Sequence, residues 1–168
     1  MIGLFDRRAV FQVIGGVLQN PTLLDEYTLT QEDFNGDSFH QIVFSSIYNL
    51  HNQGVSVIDC FALDSFISSY EKQYRIFTSN NGIEYVNEAI SMCEPENFIY
   101  NYNRVKKFSL LRYYVSQNMD ITAIYDMHAL PAARVSILYC QETIYVQKLR
   151  KCVLLNLRQS FFNCRYRE

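Results

Sequence analysis

Residues 82–118 read GIEYVNEAISMCEPENFIYNYNRVKKFSLLRYYVSQN, and this stretch decides the fold. Ile83, Val86 and Ile90 recur at three- and four-residue steps, the spacing that lines one face of a helix. The run predicts a helix over about 82–93, opened by the turn residues Asn80-Asn81-Gly82. Pro95 and Asn97 then open the longest helix, about 97–118. Only Glu94-Pro95-Glu96 separates the two, so the spacing predicts an antiparallel helical hairpin. Tyr85, Tyr100, Tyr102, Tyr113 and Tyr114 lie on this pair. That is more tyrosine than one small core encloses. Tyrosine gives contact area at low entropy cost, which suits either a core edge or a protein interface.

Working back toward the N-terminus, the same period persists. Val10, Val13, Ile14, Val17 and Leu18 make an apolar stripe over 8–19, ended by Asn20-Pro21. Gly15-Gly16 inside it costs about 1 kcal/mol per glycine against alanine. No strand precedes the pair, so close helix packing explains it better than a phosphate loop. Asp37-Ser38 caps a run over 39–51 with Phe39, Val43, Ile47 and Leu50 on one side, and Gly54 stops it. Asp59 caps a further helix in which Ala62, Leu63, Phe66 and Ile67 face inward. No strand-period alternation persists. The reading is an all-α fold, an orthogonal helical head followed by the antiparallel hairpin.

Composition agrees with a folded chain. In 168 residues, 49% are hydrophobic and 19% charged, which excludes global disorder. The net charge is −2, against the strongly basic balance of a simple nucleic-acid binder. Charge is uneven, however. Residues 1–126 carry 8 Lys+Arg and 15 Asp+Glu, whereas 127–168 carry 7 and 2, together with three of the five cysteines. We therefore divide the chain into a helical domain, 1–126, and a basic tail, 127–168. Five cysteines without a Cys-x-x-Cys pair fit reduced thiols and a cytoplasmic setting. No apolar run is long enough for a membrane span, and the opening residues lack the pattern of a secretory signal.

Residues that carry chemistry are sparse. The chain has no Gly-x-x-x-x-Gly-Lys-Ser/Thr loop, no Gly-x-Ser-x-Gly elbow and no His-Glu-x-x-His pair. His40 and His51 stand about 16 Å apart along a helix and cannot share a metal within it. Asp33, Asp37, Asp59 and Asp64 read as caps and solvated faces. No catalytic residue, metal site or cofactor is expected.

The order of these segments resembles the N-terminal domain of DnaB-type replicative DNA helicases over residues 8–126. The resemblance rests on Ala9-Val10 through Gly15-Gly16-Val17-Leu18 and Asn20-Pro21, then Glu32-Asp33-Phe34 with Phe39-His40 and Ile42-Val43-Phe44. It continues through Leu50, Gly54, Ile58-Asp59 and Leu63, then Gly82-Ile83-Glu84-Tyr85-Val86. Its strongest piece is Asn97 to Arg112, with Tyr102, Val105-Lys106-Lys107 and Leu110-Leu111-Arg112. Asn81-Gly82 replaces a usual double glycine, and Phe108 stands where a polar residue is common. The resemblance implies a non-catalytic scaffold whose hairpins pair and build a collar that receives primase and loader proteins. Interface or hairpin-packing residues are then expected at Tyr85, Ile90, Tyr102, Val105, Leu110 and Leu111, with Arg112 as a rim charge. On that reading Leu111→Asp yields a folded monomer. Partners are further copies of the chain, helicase subunits and primase. The alternative is a stand-alone phage or mobile-element protein that binds a host helicase or primase.

The tail matches nothing of that pattern. Three accounts stand side by side: an out-of-register tail from a frameshift or early stop, a linker helix over about 141–158 using Ile144, Leu149 and Val153, or a basic strip from Lys148 to Arg158 for nucleic acid.

Overall fold

A computed structural model describes residues 4–121 and Tyr125. Among these residues the chain is all-α: α1 (Arg7–Gln19), α2 (Leu23–Glu26), α3 (Ser38–Asn52), α4 (Cys60–Ser68), α5 (Glu71–Ser79), α6 (Gly82–Met92) and α7 (Phe98–Ser116), with 3-10 turns at Gln31–Phe34 and Pro95–Asn97. The expectations for residues 127–168, including the helix over 141–158 and the Lys148–Arg158 strip, fall outside the described residues. So does the boundary at 126.

Aspartates start the helices where the sequence puts them. Asp6 accepts a hydrogen bond from the Ala9 amide at 3.0 Å, Asp37 from Phe39 at 3.0 Å and Asp59 from Ala62 at 2.8 Å. Each satisfies an amide that the first turn leaves unpaired, worth about 1 kcal/mol. Gly54, at φ +83°, and Asn81, at φ 51°, place left-handed residues after α3 and before α6. Among the described residues, no helix is long and apolar enough to cross a membrane.

The core forms around α1, whose Val10, Val13, Ile14 and Val17 are fully enclosed. Phe39, Val43, Phe44 and Ile47 of α3 meet them, with Leu63 and Ile67 of α4, Phe77 of α5, Val86 and Ala89 of α6, and Phe98 and Val105 of α7. Phe34 stacks on Phe44 with ring centroids 4.1 Å apart.

α1 makes its broadest contacts with α6 and α7, and these two share few with each other. The short connection therefore does not give a self-packed pair; α1 lies against both members. Gly15 and Gly16 make this possible, because each faces a different neighbour. A β-carbon on Gly15 would stand 2.3 Å from the Ala89 carbonyl oxygen of α6. One on Gly16 would stand 2.6 Å from the Phe98 ring of α7. Gln12 ties the same junction, donating to the Met92 carbonyl at 3.1 Å and accepting from the Glu94 amide at 3.0 Å.

Two expectations need correction. Ile83 is exposed, and Ala89 is buried alongside Val86. The inward stripe of α6 runs Gly82, Val86, Ala89, and Ile83 sits about 100° away from Gly82. The second correction is α5, which the sequence reading passed over. Its only fully buried residue is Phe77, with Tyr74 and Ile76 half-buried beside it, and Tyr70 gives it no side-chain cap, so its stripe is short and the start signal absent.

Candidate functional site

α7 carries most of the residues singled out by sequence, and it buries two different sides. Phe98, Asn101 and Val105 form one stripe, directed into the core with α1. Lys107, Leu111 and Tyr114 form a second, outside that core cluster yet also buried. Val105 and Leu111 are six residues apart, about a third of a turn out of register, so one apolar face cannot hold both.

Three cations on α7 fasten it to the head. The Arg104 side chain donates to Asp6, the N-cap of α1, at 2.6 Å. Lys106 reaches both carboxylate oxygens of Asp33 at 3.0 and 2.9 Å. Asp33 is only 2% exposed and also accepts from the Thr30 amide at 2.8 Å. Its charge is thus compensated by one cation and by the amide and hydroxyl of Thr30, as a buried carboxylate requires. Arg112 donates to the backbone carbonyls of Leu4 at 2.8 Å, Glu32 at 3.0 Å and Asp33 at 2.7 Å. Its guanidinium also lies 5.9 Å from the Phe5 ring centroid. Burial lowers the Arg112 pKa from its ordinary value, with the Asp33 charge working in the opposite sense.

These contacts relocate several expected interface residues. Arg112 is no rim charge: its fork closes the N-terminal segment and the Gln31–Phe34 turn onto α7. Leu111 is 0% exposed, and Val105 belongs to the core. Leu111→Asp therefore loads a charge into an enclosed site, so a folded monomer is no longer the expected product. Tyr85 is half-buried among Phe11, Phe39 and His40, with its hydroxyl unpartnered among the described residues. Burial raises its pKa, and the Asp37 charge adds to the rise. Ile90 is half-buried, its carbonyl accepting from Gln19 at 2.6 Å. Tyr102 packs on Tyr27 and Phe98 and donates to the Thr28 carbonyl at 3.4 Å. Leu110 is half-buried.

Large apolar groups do reach solvent on this pair of helices: Ile83 and Met92 on α6, and Ile99, Tyr100, Tyr113 and Val115 on α7. Ile99, Leu110 and Tyr113 lie within about 60° of one another around the helix, an arc they share with Lys106, whose ammonium is turned onto Asp33. Of the five tyrosines noted in the sequence, Tyr100 and Tyr113 are exposed, whereas Tyr114 is buried. Sequence periodicity could not have separated them, because α7 alternates its buried side.

Beside Tyr100 a cleft of about 430 Å³ opens between α1, the Pro95–Asn97 turn and α7, lined by Asp6, Arg8, Gln12, Glu94, Asn97 and Arg104 among others. Asp6 and Arg104 neutralise each other there, and no nucleophile, paired acid and base or histidine lines it. No group of three His, Cys, Asp or Glu side chains among the described residues is arranged to hold a metal.

The comparisons agree with this architecture. The family described as "DnaB-like helicase N terminal domain" matches residues 5–107. The chain is also similar to the SPbeta prophage-derived uncharacterized protein YorI of Bacillus subtilis (strain 168), with 41% identity over 126 residues. That match covers 73% of this chain and 25% of the relative, so the chain spans about a quarter of the length of the curated protein it matches. No solved structure matches the chain. The all-α architecture, the paired glycines of α1 and the family match over residues 5–107 agree, and the chain belongs to the DnaB-like helicase N-terminal domain family.

Proposed function

We propose that the helical domain is a non-catalytic scaffold of a replicative DNA helicase, acting in DNA replication through self-assembly and primase contact. The observation that carries this is the exposed stripe of Ile99 and Tyr113, with half-buried Leu110 between them, on α7. Among the described residues the core closes without Ile99 and Tyr113, so their apolar area serves no folding purpose evident there. Family membership supports the scaffold role, and the fastening of α7 by Arg104, Lys106 and Arg112 gives the stripe a rigid mount.

Light scattering on the full chain tests this. A mass at a multiple of the 19.7 kDa chain is expected. Ile99→Asp with Tyr113→Asp should return it to one chain while helical circular dichroism persists. A single-chain mass at about 100 μM, with no retention on immobilised primase or helicase, removes the scaffold role.

One observation favours a second reading. The similar protein is named as prophage-derived, which fits a phage or mobile-element protein that binds a host helicase or primase. Retention on a host helicase or primase, with a single-chain mass in isolation, selects that reading.

A further inference from the structure

The cleft beside Tyr100 is not fully spent on the fold. Much of its lining is committed: Arg104 is held by Asp6, and the Asn97 side chain donates to the Glu94 carboxylate. Gln12 uses both ends of its amide, on the Met92 carbonyl and the Glu94 amide. Arg8 lines the same cleft and has no hydrogen-bond or ion-pair partner among the described residues. Asn101 is only 8% exposed and donates to the Asn97 carbonyl at 3.0 Å, which leaves its Oδ1 acceptor unpartnered among those residues. Tyr100 stays 60% exposed, although the Arg104 guanidinium lies 5.9 Å from its ring centroid. The cleft thus offers a free guanidinium, a nearly buried acceptor and an open aromatic ring.

Those three groups call for a ligand with an anion, an N–H donor and a flat ring. The charge balance narrows the choice. Asp6 and Glu94 offset Arg8 and Arg104, so the cleft tolerates one further negative charge at Arg8. A phosphate monoester brings nearly two, and Glu94 opposes the second. A carboxylate matches the planar fork of a guanidinium through two parallel hydrogen bonds. The end of a polypeptide supplies every element together: a terminal carboxylate for Arg8, the last amide N–H for Asn101 Oδ1 and an aromatic last side chain for Tyr100. Lys or Arg at the preceding position would meet Glu94. The volume, about 430 Å³, lies within the range of ligand sites. We propose that this cleft captures the C-terminus of a partner protein ending in an aromatic residue, with Arg8 binding its carboxylate. The inference rests on the scaffold reading and supplies the chemistry of one partner. It uses neither Ile99 nor Tyr113.

The test is fluorescence anisotropy of labelled short peptides titrated with the full chain. A peptide ending in Lys-Phe with a free carboxylate binds. The same peptide with an amidated end binds about tenfold more weakly, the loss expected for a charge-assisted contact. Arg8→Ala and Tyr100→Ala each weaken binding of the free acid about tenfold, and both side chains are exposed, so the fold is retained. Lys72→Ala, which removes an exposed cation on α5, leaves it within about twofold. Equal loss from Arg8→Ala and Lys72→Ala reduces the effect to general attraction and overturns the proposal. So does equal binding of the free and amidated ends, or no binding at about 1 mM. Adenosine monophosphate binding more tightly than the peptide also overturns it, by assigning the cleft to a nucleotide. A chain that assembles in light scattering but ignores the peptide keeps the scaffold reading and loses this one. A single-chain mass with carboxylate-dependent binding keeps the capture site and loses self-assembly.

Discussion

The Gly15→Ala substitution puts the packing of α1 to a quantitative test. In an isolated helix alanine is favoured over glycine by about 1 kcal/mol, so propensity alone predicts a more stable protein. The new methyl would lie 2.3 Å from the Ala89 carbonyl oxygen, 2.8 Å from the Cys93 β-carbon and 3.0 Å from the Ala89 carbonyl carbon. Two of those three atoms are backbone, and backbone cannot rotate aside. Restoring ordinary contact requires α1 and α6 to part by about 1 Å, and a gap of that size forfeits up to half of each dispersion contact along the seam. Overpacking of this kind costs about 1–3 kcal/mol, more where backbone must move. After the propensity gain we expect a net loss of about 2 kcal/mol. Gly16→Ala should lose less, about 1 kcal/mol, because its neighbour is the Phe98 ring at 2.6 Å, a side chain with some freedom. Urea unfolding of the full chain, followed by helical circular dichroism, measures both. A Gly15→Ala protein as stable as the parent would refute the claim that α1 lies this close to α6.

Three other outcomes follow from the same geometry. Arg112→Ala removes three charge-assisted hydrogen bonds to backbone carbonyls; it should destabilise by about 2 kcal/mol and expose the Leu4–Asp6 segment to protease, and Arg112→Lys should not restore it, because an ammonium lacks the planar fork. Native-like cleavage of Arg112→Ala would count against the clamp. Leu111→Asp should cost more than about 3 kcal/mol by placing a carboxylate in an enclosed site, seen as lost helical signal; a folded, soluble variant would return Leu111 to the interface. His40 supplies the pH dependence. Burial lowers its pKa below 6.5, opposed by Asp37, whose carboxylate lies 3.5 Å away and also holds Arg7 at 3.2 Å. The folded state then binds its proton less readily than the unfolded state. Its contribution is complete above about pH 6.5 and declines as pH falls below that value toward the folded pKa. Between pH 7 and 5 the parent should lose stability that His40→Gln does not, and parallel pH profiles would rule His40 out as the source.

How much the sequence revealed depended on whether one periodic face did the work. α1, α3 and α4 each carry a single stripe: periodicity alone placed α1 at 8–19, and Asp37 and Asp59 marked the starts of α3 and α4, whereas the Asp6 cap of α1 was not singled out. α5 has only a short stripe, Tyr74 and Phe77 with Ile76 beside them, and no cap at Tyr70, so neither its start nor its inward face stood out in the sequence. The glycine pair could be read as a packing device, but not as serving two helices at once, because the partners arrive from about 75 and 80 residues away in sequence. The ion pairs were hidden for a like reason. Lys106 and Asp33 are 73 residues apart, and nothing near Asp33 distinguishes a capping carboxylate from one that must also be charge-paired. Arg112 looked exposed by residue type, since arginine is seldom buried, and only its three carbonyl partners explain why it is here.

The double-sidedness of α7 links these points. A helix that served only to close the head would need the stripe of Phe98 and Val105 and could be polar elsewhere. α7 instead buries Leu111 and Tyr114 on another side and leaves Ile99, Tyr100 and Tyr113 in solvent. Tyr100 meets the Arg104 guanidinium and Tyr113 packs edge-on against Tyr114, yet all three stay largely exposed among the described residues, and such exposure carries an association cost at high concentration. On the scaffold reading proposed above, that area is covered by another molecule. The inward cations reinforce the point. By committing Arg104, Lys106 and Arg112 to the head, the fold holds α7 in place, which on the scaffold reading proposed above mounts Ile99 and Tyr113 for assembly. Ile99→Asp with Tyr113→Asp should therefore change assembly while leaving stability nearly unchanged, whereas Arg112→Ala should lower stability, and a triple variant should show both losses independently.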